Sequence, residues 1–183
     1  SQQPSTKTYI APNSKKISKK SSKNLVLIYM ESIEDSYRDT RLFGKNLLAE
    51  LDDINSIKFD KYQQLPGTGW TIAGMFATQC GDYLEISFLT NDYTCLSDIL
   101  DSQGYYNVYM QGASLKFTRT GDFLKKHKYH ELYGRDEWKE RGFTKFNDWG
   151  LYDDDLFAQA KIKFEQLHTN GKAFNLTILT VDT

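Results

Sequence analysis

NLVLIYMES, residues 24–32, is the stretch whose reading decides the fold. Residues 25–30 form an unbroken apolar run with β-branched and aromatic members and no period-two alternation, the pattern of a central parallel strand covered on both faces. The run stops abruptly on Glu31. In open α/β sheets the ligand crevice lies beyond the carboxyl ends of the strands, so a carboxylate at that point is placed to hold a hard or borderline cation. The plainer reading of Glu31 is a solvated loop acid.

Outward from this strand, the next informative block is PGTGWTIAGMFATQCG, residues 66–81. Gly67 and Gly69 flank Thr68, and the apolar stretch 72–77 predicts a buried helix with Thr71 at its start. A phosphate arriving there meets unpaired backbone N–H groups and the positive end of the helix dipole. Thr71 also offers a hydroxyl nucleophile, which needs a base or a bound cation to be reactive at neutral pH, and Glu31 is the candidate to hold that cation. The competing reading is that Thr71 only caps the helix.

The remaining pattern alternates. Helical spacing over residues 94–102 stops at Gly104 and a strand follows over 105–110. A helix is expected over 120–126, a short edge strand over 129–133, a polar connection through Trp138 and Trp149, a helix over 154–168 and a strand over 174–181. Such alternation predicts an α/β fold with a mostly parallel central sheet flanked by helices.

Several blocks now resemble one known family: NLVLIYMESI, PGTGWTIAGMFATQCG, CLSDIL (95–100), GYYNVYMQGA (104–113) and WGLYDDDLFAQA (149–160). Together they are similar to the extracytoplasmic domain of phosphoglycerol transferases, a group that includes lipoteichoic acid synthase and the periplasmic enzyme that decorates osmoregulated glucans. That group lies within the sulfatase-like branch of the alkaline phosphatase superfamily. The resemblance runs over residues 24–183, read as the N-terminal, incomplete portion of an alkaline phosphatase-like catalytic domain. It implies that Thr71 attacks a glycerophosphate-bearing phospholipid, becomes covalently glycerophosphorylated, and passes the group to a hydroxyl of a glycan or polymer acceptor. It implies a divalent cation held by Glu31 and Thr71, manganese first, with magnesium or zinc as alternatives. Phe117 and Arg119, in GASLKFTR, match the family's substrate-facing aromatic and arginine positions, although the family more often has tryptophan where Phe117 stands. An arginine fork suits a phosphate geometrically. The family's remaining metal ligands, an aspartate–histidine pair, and a substrate histidine lie downstream of the last strand. The 183-residue chain is therefore expected to be an inactive fragment, and a monomer.

Charge and composition frame this reading. With 39% hydrophobic and 14% aromatic residues among 183, the chain has ample material for one core. Residues 1–23 hold six lysines and no acid, so the net charge of −1 divides into +6 on this segment and −7 on the rest. Such a segment reads as a flexible basic linker, and in the family this position joins membrane-spanning helices to the catalytic domain. No apolar stretch approaches the ~20 residues needed to span a bilayer. Membrane attachment is thus expected through a region upstream, at the extracytoplasmic face. The acidic folded part argues against nucleic-acid binding.

Cys80 and Cys95 are the only cysteines. A bridge between them contributes about 3 kcal/mol in the chain-entropy model and favours an oxidising compartment. Two reduced buried thiols remain the alternative. His127 and His130, among lysines, and His168 read as solvated helix ends, while Asp153, Asp154 and Asp155 read as first-turn carboxylates of the last helix. A formylglycine sulfatase needs Cys or Ser two residues before a proline. Gln2, Ile10 and Gln64 hold those places ahead of Pro4, Pro12 and Pro66, which excludes that chemistry within this chain. The other readings kept open are a phosphoethanolamine transferase, a phosphodiesterase, and a non-catalytic module binding glycan or lipid headgroups.

Overall fold

The structure is a computed structural model that describes residues 23–59 and 63–181. The basic linker expected over residues 1–23 lies outside the described residues except for Lys23, whose carbonyl accepts a hydrogen bond from the Tyr105 hydroxyl at 2.7 Å.

Strand β1 (Leu25–Tyr29), β2 (Tyr106–Gln111), β3 (Glu131–Tyr133) and β4 (Phe174–Leu179) pair in the order β1-β4-β2-β3, all in parallel. β4 is buried at all six positions and holds the centre with β2. The run 25–30 is therefore at the edge of the described sheet, a correction to the central position expected for it. Its residues alternate in exposure, with Val26 and Ile28 at 39% and 49%, while Leu25, Leu27 and Tyr29 are half-buried. Continuous apolarity says neither which neighbours flank a strand nor that both of its faces are covered, and among the described residues only one face of this strand is. The strand order follows instead from the long-range pairing of β4 with β1 and β2.

Helices α1 (Thr40–Phe43), α2 (Ala49–Asp52), α3 (Thr71–Cys80), α4 (Leu96–Ser102), α5 (Thr120–Lys126), α6 (Arg135–Glu140) and α7 (Asp153–Thr169) complete the described elements with two 3-10 turns, at Asp35–Arg38 and Phe117–Arg119. The side-chain period of two divides each central strand between two cores. Val108, Met110, Phe174, Leu176 and Ile178 face α6 and α7 and pack with Trp138, Leu156, Ala160 and Leu167. Tyr109 and Leu179 face the other way, onto Ile72, Met75, Phe76, Phe123 and Leu124 of α3 and α5. Covering both faces of a parallel sheet with helices is the arrangement such sheets require.

Polar side chains on the α3 face of the sheet satisfy one another. Asn175 donates to Asn107 at 3.2 Å, and the Tyr129 hydroxyl contacts Thr177 at 2.9 Å and accepts from Gln79 at 2.9 Å. All five side chains are buried, so this connected set ties α3 and the residues after α5 to the two central strands.

Two expectations need correction in this layer. The connection through Trp138 is not merely polar. It forms α6, because Trp138 is 1% exposed and its indole N–H donates to the Gln111 carbonyl at 2.7 Å, giving a polar helix one anchored face. His127 is 2% exposed rather than solvated. It falls one helical turn after Phe123 and packs against that ring at a centroid distance of 4.9 Å. The flanking lysines that suggested solvent project from other positions of the same turn. Among the described residues no helix is long and apolar enough to cross a membrane.

Candidate active site

β1 and β4 run in parallel and end side by side, so the residues after each strand converge at one end of the sheet. The Thr180 N–H donates to the Tyr29 carbonyl at 3.0 Å, continuing the ladder one residue beyond the strands. Two residues on from Tyr29, Glu31 donates its own N–H to the Thr180 hydroxyl at 2.8 Å. Ser32 then takes a left-handed φ of 55° and turns the chain away. Glu31 is thus held at the strand end by its backbone, which leaves its carboxylate free to serve the cleft.

Helix α3 approaches the same point. Trp70 is its N-cap, extended at φ −127° and ψ 153° and without a side-chain cap, so Thr71 is the first helical residue rather than the cap. The first intrahelical bond runs from Gly74 N–H to the Trp70 carbonyl, which leaves the N–H groups of Thr71, Ile72 and Ala73 at the open end of the helix. The Thr71 hydroxyl donates to Glu31 Oε2 at 2.9 Å, across 40 residues of sequence. A hydroxyl in the first turn that reaches another element is not satisfying its own helix. The end of α3, its hydroxyl and the Glu31 carboxylate therefore present one polar spot.

Around this spot lies a cavity of about 380 Å³. Its floor includes Thr71, Glu31, Gln111 and Thr180, and its walls are aromatic, from Trp70, Phe117 and Trp149. Phe117 and Trp149 meet edge to face with ring centroids 6.3 Å apart, and both are about 60% exposed. The loop carrying Trp149 is clamped to the end of β2. A Cβ built on Gly150 would lie 2.0 Å from the Gly112 carbonyl oxygen, so only glycine permits this backbone approach. Beneath the floor, burial pushes the Tyr109 hydroxyl well above its ordinary pKa, with the neighbouring Tyr129, Tyr29 and Glu31 adding to the shift. Tyr109 thus stays a neutral donor, to Gln111 Oε1 at 2.7 Å.

The structure brings Glu31, Thr71 and Phe117 to one cavity and leaves Arg119 out of its lining. Thr118 and Arg119 both adopt left-handed backbone, at φ 49° and 58°, and this double turn swings the guanidinium to a neighbouring groove. There its Nε donates to Asp122 at 3.0 Å. Cys80 and Cys95 are bonded to each other, joining the C-terminal end of α3 to the N-cap of α4. Sequence reasoning did not single out Thr180 or the cavity-lining role of Trp70 and Trp149. The strand-end rule that pointed to Glu31 applied equally to β4 and was the available signal for Thr180.

Glu31 Oε2 and Thr71 Oγ1 are two oxygen donors at hydrogen-bond distance, a pair that suits a hard cation such as manganese or magnesium better than one that prefers sulfur and nitrogen.

The sequence profile of the sulfatase family matches residues 23–183. The chain belongs to the sulfatase family. Among the curated members similar to it are phosphoglycerol transferase I of Escherichia fergusonii, 44% identical over 87% of this chain and 23% of that protein, and phosphoglycerol transferase I of Escherichia coli O6:K15:H31, 43% identical over the same shares. The chain spans less than a quarter of the length of these sulfatase-family relatives. Solved structures agree on the fold. An alkaline phosphatase superfamily protein from Vibrio parahaemolyticus superposes with a TM-score of 0.69 at 23% identity, and the lipoteichoic acid synthase LtaP of Listeria monocytogenes with 0.69 at 15%. Each match covers 87% of this chain and 40% of the other.

Proposed function

We propose that this chain carries the nucleophile-bearing part of a phosphoglycerol transferase that acts at the extracytoplasmic face of a membrane. The observation that supports this reading is the Thr71 hydroxyl, in the first turn of α3, directed at Glu31 Oε2 in an aromatic-walled cavity. The relatives named phosphoglycerol transferase I supply the reaction. The Cys80–Cys95 bridge is in keeping with an oxidising compartment.

In this reading the lipid's phosphoryl group enters the cavity with its charged oxygens toward the N–H groups that open α3, where the helix dipole favours negative charge. Thr71 Oγ1 attacks phosphorus and its proton leaves through the acceptor already in place, Glu31 Oε2. The bond from phosphorus to the diacylglycerol oxygen breaks, that oxygen leaves with the proton Glu31 took up, and glycerophosphate remains on Thr71. A hydroxyl of the glycan or polymer acceptor then attacks phosphorus and gives its proton to Glu31, the bond from phosphorus to Thr71 Oγ1 breaks, and Glu31 returns the proton to Thr71. A divalent cation held by Glu31 and Thr71, manganese by family resemblance, would lower the proton affinity of the hydroxyl and offset charge on the phosphoryl group. Phe117 and Trp149 wall the cavity and offer apolar faces to the lipid beside its headgroup. Arg119 would contribute to phosphate binding only after leaving Asp122.

The test uses the whole protein, phosphatidylglycerol labelled in its headgroup, and a glycan or polymer acceptor. Transfer of label and its trapping on a peptide containing Thr71 are expected, with both lost in Thr71→Ala. Equal transfer from phosphatidylethanolamine, or activity that survives Thr71→Ala, would overturn the assignment.

A further inference from the structure

The Cys80–Cys95 disulfide lies nine residues along α3 from Thr71, about 14 Å at the helical rise, and it does not stand alone. A ring nitrogen of His127 and the two sulfurs lie within 4.8 Å of one another. Cys80, Cys95 and His127 are exposed by 4%, 0% and 2% respectively. His127 Nδ1 is 2.7 Å from Asp98 Oδ2, and the same carboxylate oxygen accepts the Cys95 N–H at 2.8 Å. A carboxylate accepts, so Nδ1 carries the proton of this contact, which leaves Nε2 as the ring nitrogen open to a further partner. Nε2 has no hydrogen-bond partner among the described residues. A buried ring nitrogen left without a partner is costly, and a carboxylate holding the ring from its other nitrogen is the arrangement that orients metal-binding imidazoles.

We propose that Cys80, Cys95 and His127 form a zinc site when the disulfide is reduced, with Asp98 as the positioning residue for His127. A dithiol supplies two electrons and two protons, its own sulfurs closing to a disulfide as the Cys80–Cys95 bond opens to two thiols. Zinc then displaces both thiol protons to solvent and takes two thiolates and Nε2, with a water as its fourth ligand. Two thiolate charges cancel the charge of the ion, and the neutral imidazole adds none. The ion and its ligands are therefore neutral together, which suits the apolar side chains Phe76, Phe123 and Tyr129 around them, with the Asp98 carboxylate outside the ligand set. Zn–S distances of about 2.3 Å place tetrahedral ligand sulfurs about 3.8 Å apart. In the proposed site the two sulfurs move apart to that separation on reduction. Thiolate and imidazole ligands select zinc over the hard cations that suit Glu31 and Thr71. Disulfide and metal are then alternative staples for one junction, and α3, which carries Thr71, is tied to α4 in either redox state.

The test titrates the 183-residue chain with Co²⁺, a spectroscopic stand-in for zinc, before and after reduction by a phosphine. Glu31→Gln is present throughout, to disable the oxygen-donor site. The reduced chain is expected to take up one equivalent, with a thiolate-to-cobalt charge-transfer band and the intense visible bands of tetrahedral cobalt, and the oxidised chain to show neither. Loss of even an outer partner of a ligand weakens metal binding about 10–100-fold, so His127→Gln should weaken it by at least about tenfold. Zinc added to the reduced chain should also shift the Nε2 resonance of His127 in nitrogen-15 spectra, a readout independent of whether the variant folds. A reduced chain without the thiolate band, folded or not, an affinity unchanged by His127→Gln, or an unmoved Nε2 resonance would each overturn the proposal.

Discussion

Thr180 shows how a single side chain can set a site without entering the chemistry. Its hydroxyl accepts the Glu31 N–H at 2.8 Å and so fixes where the carboxylate leaves the strand. Replacing it with valine keeps the shape and removes the acceptor. Thr180→Val is expected to cost about 1 kcal/mol, the lower end for a donor left unsatisfied because this one is only partly buried. It should also weaken Mn²⁺ binding. Urea denaturation and a Mn²⁺ titration measure the two effects, and a loss of stability with unchanged Mn²⁺ affinity would show that Thr180 does not position Glu31. Glu131 offers a second residue-scale prediction. Burial raises its pKa, but hydrogen bonds from Lys163 at 2.7 Å and from the Tyr133 hydroxyl outweigh this and hold it below the ordinary value. A carboxylate depressed on folding contributes stability that is fully present above its unfolded pKa and is lost as pH falls through its folded one. The stability difference between wild type and Glu131→Gln should therefore shrink as pH drops below about 4.5, which a series of urea midpoints will record.

At the scale of elements, α3 depends on both of its ends. Its start carries Thr71 into the cavity and its last residue, Cys80, is bonded to Cys95 at the start of α4. The bridge closes a loop of 15 residues, worth about 3 kcal/mol in the chain-entropy model. Cys95→Ser, measured with a chelator present, should lower the unfolding free energy by about that amount; a change under about 1 kcal/mol would mean that the buried network of Gln79, Tyr129 and Thr177 already secures α3 by itself. The elements were largely legible in the sequence. The helix at 120–126 has the expected bounds, and α4, α7 and β4 differ from expectation by a residue or two at their ends. The periods of 3.6 and 2 report which face is buried, and turn glycines such as Gly81 and Gly104 mark where an element must stop. α6 was not legible, because a six-residue helix with one buried tryptophan shows no repeat to detect.

At the scale of the whole molecule, the described residues supply Glu31 and Thr71 to the proposed cation, whereas a catalytic ion needs roughly three protein ligands and an open position. The chain also spans 23% of the length of its phosphoglycerol transferase relatives. We therefore expect the 183-residue chain to transfer no phosphoglycerol from labelled phosphatidylglycerol under conditions in which the whole protein does. Turnover by the chain alone that Thr71→Ala abolishes would show that these residues suffice.

The amino-acid sequence by itself determined the α/β class and the family, and it pointed to Glu31 and Thr71 for the proposed site, because strand and helix periodicity, strand-end acids and motif order are local properties of the chain. Only the tertiary structure decided that β1 lies at the edge of the described sheet, that Arg119 turns to Asp122 and away from the cavity, and that His127 is buried beside the disulfide. Each of those outcomes rests on contacts between residues distant in sequence or on a backbone turn that no residue type announces. Strand order comes from pairing across some 150 residues, the arginine's direction from two consecutive left-handed residues, and the histidine's burial from the helix face on which its position happens to fall.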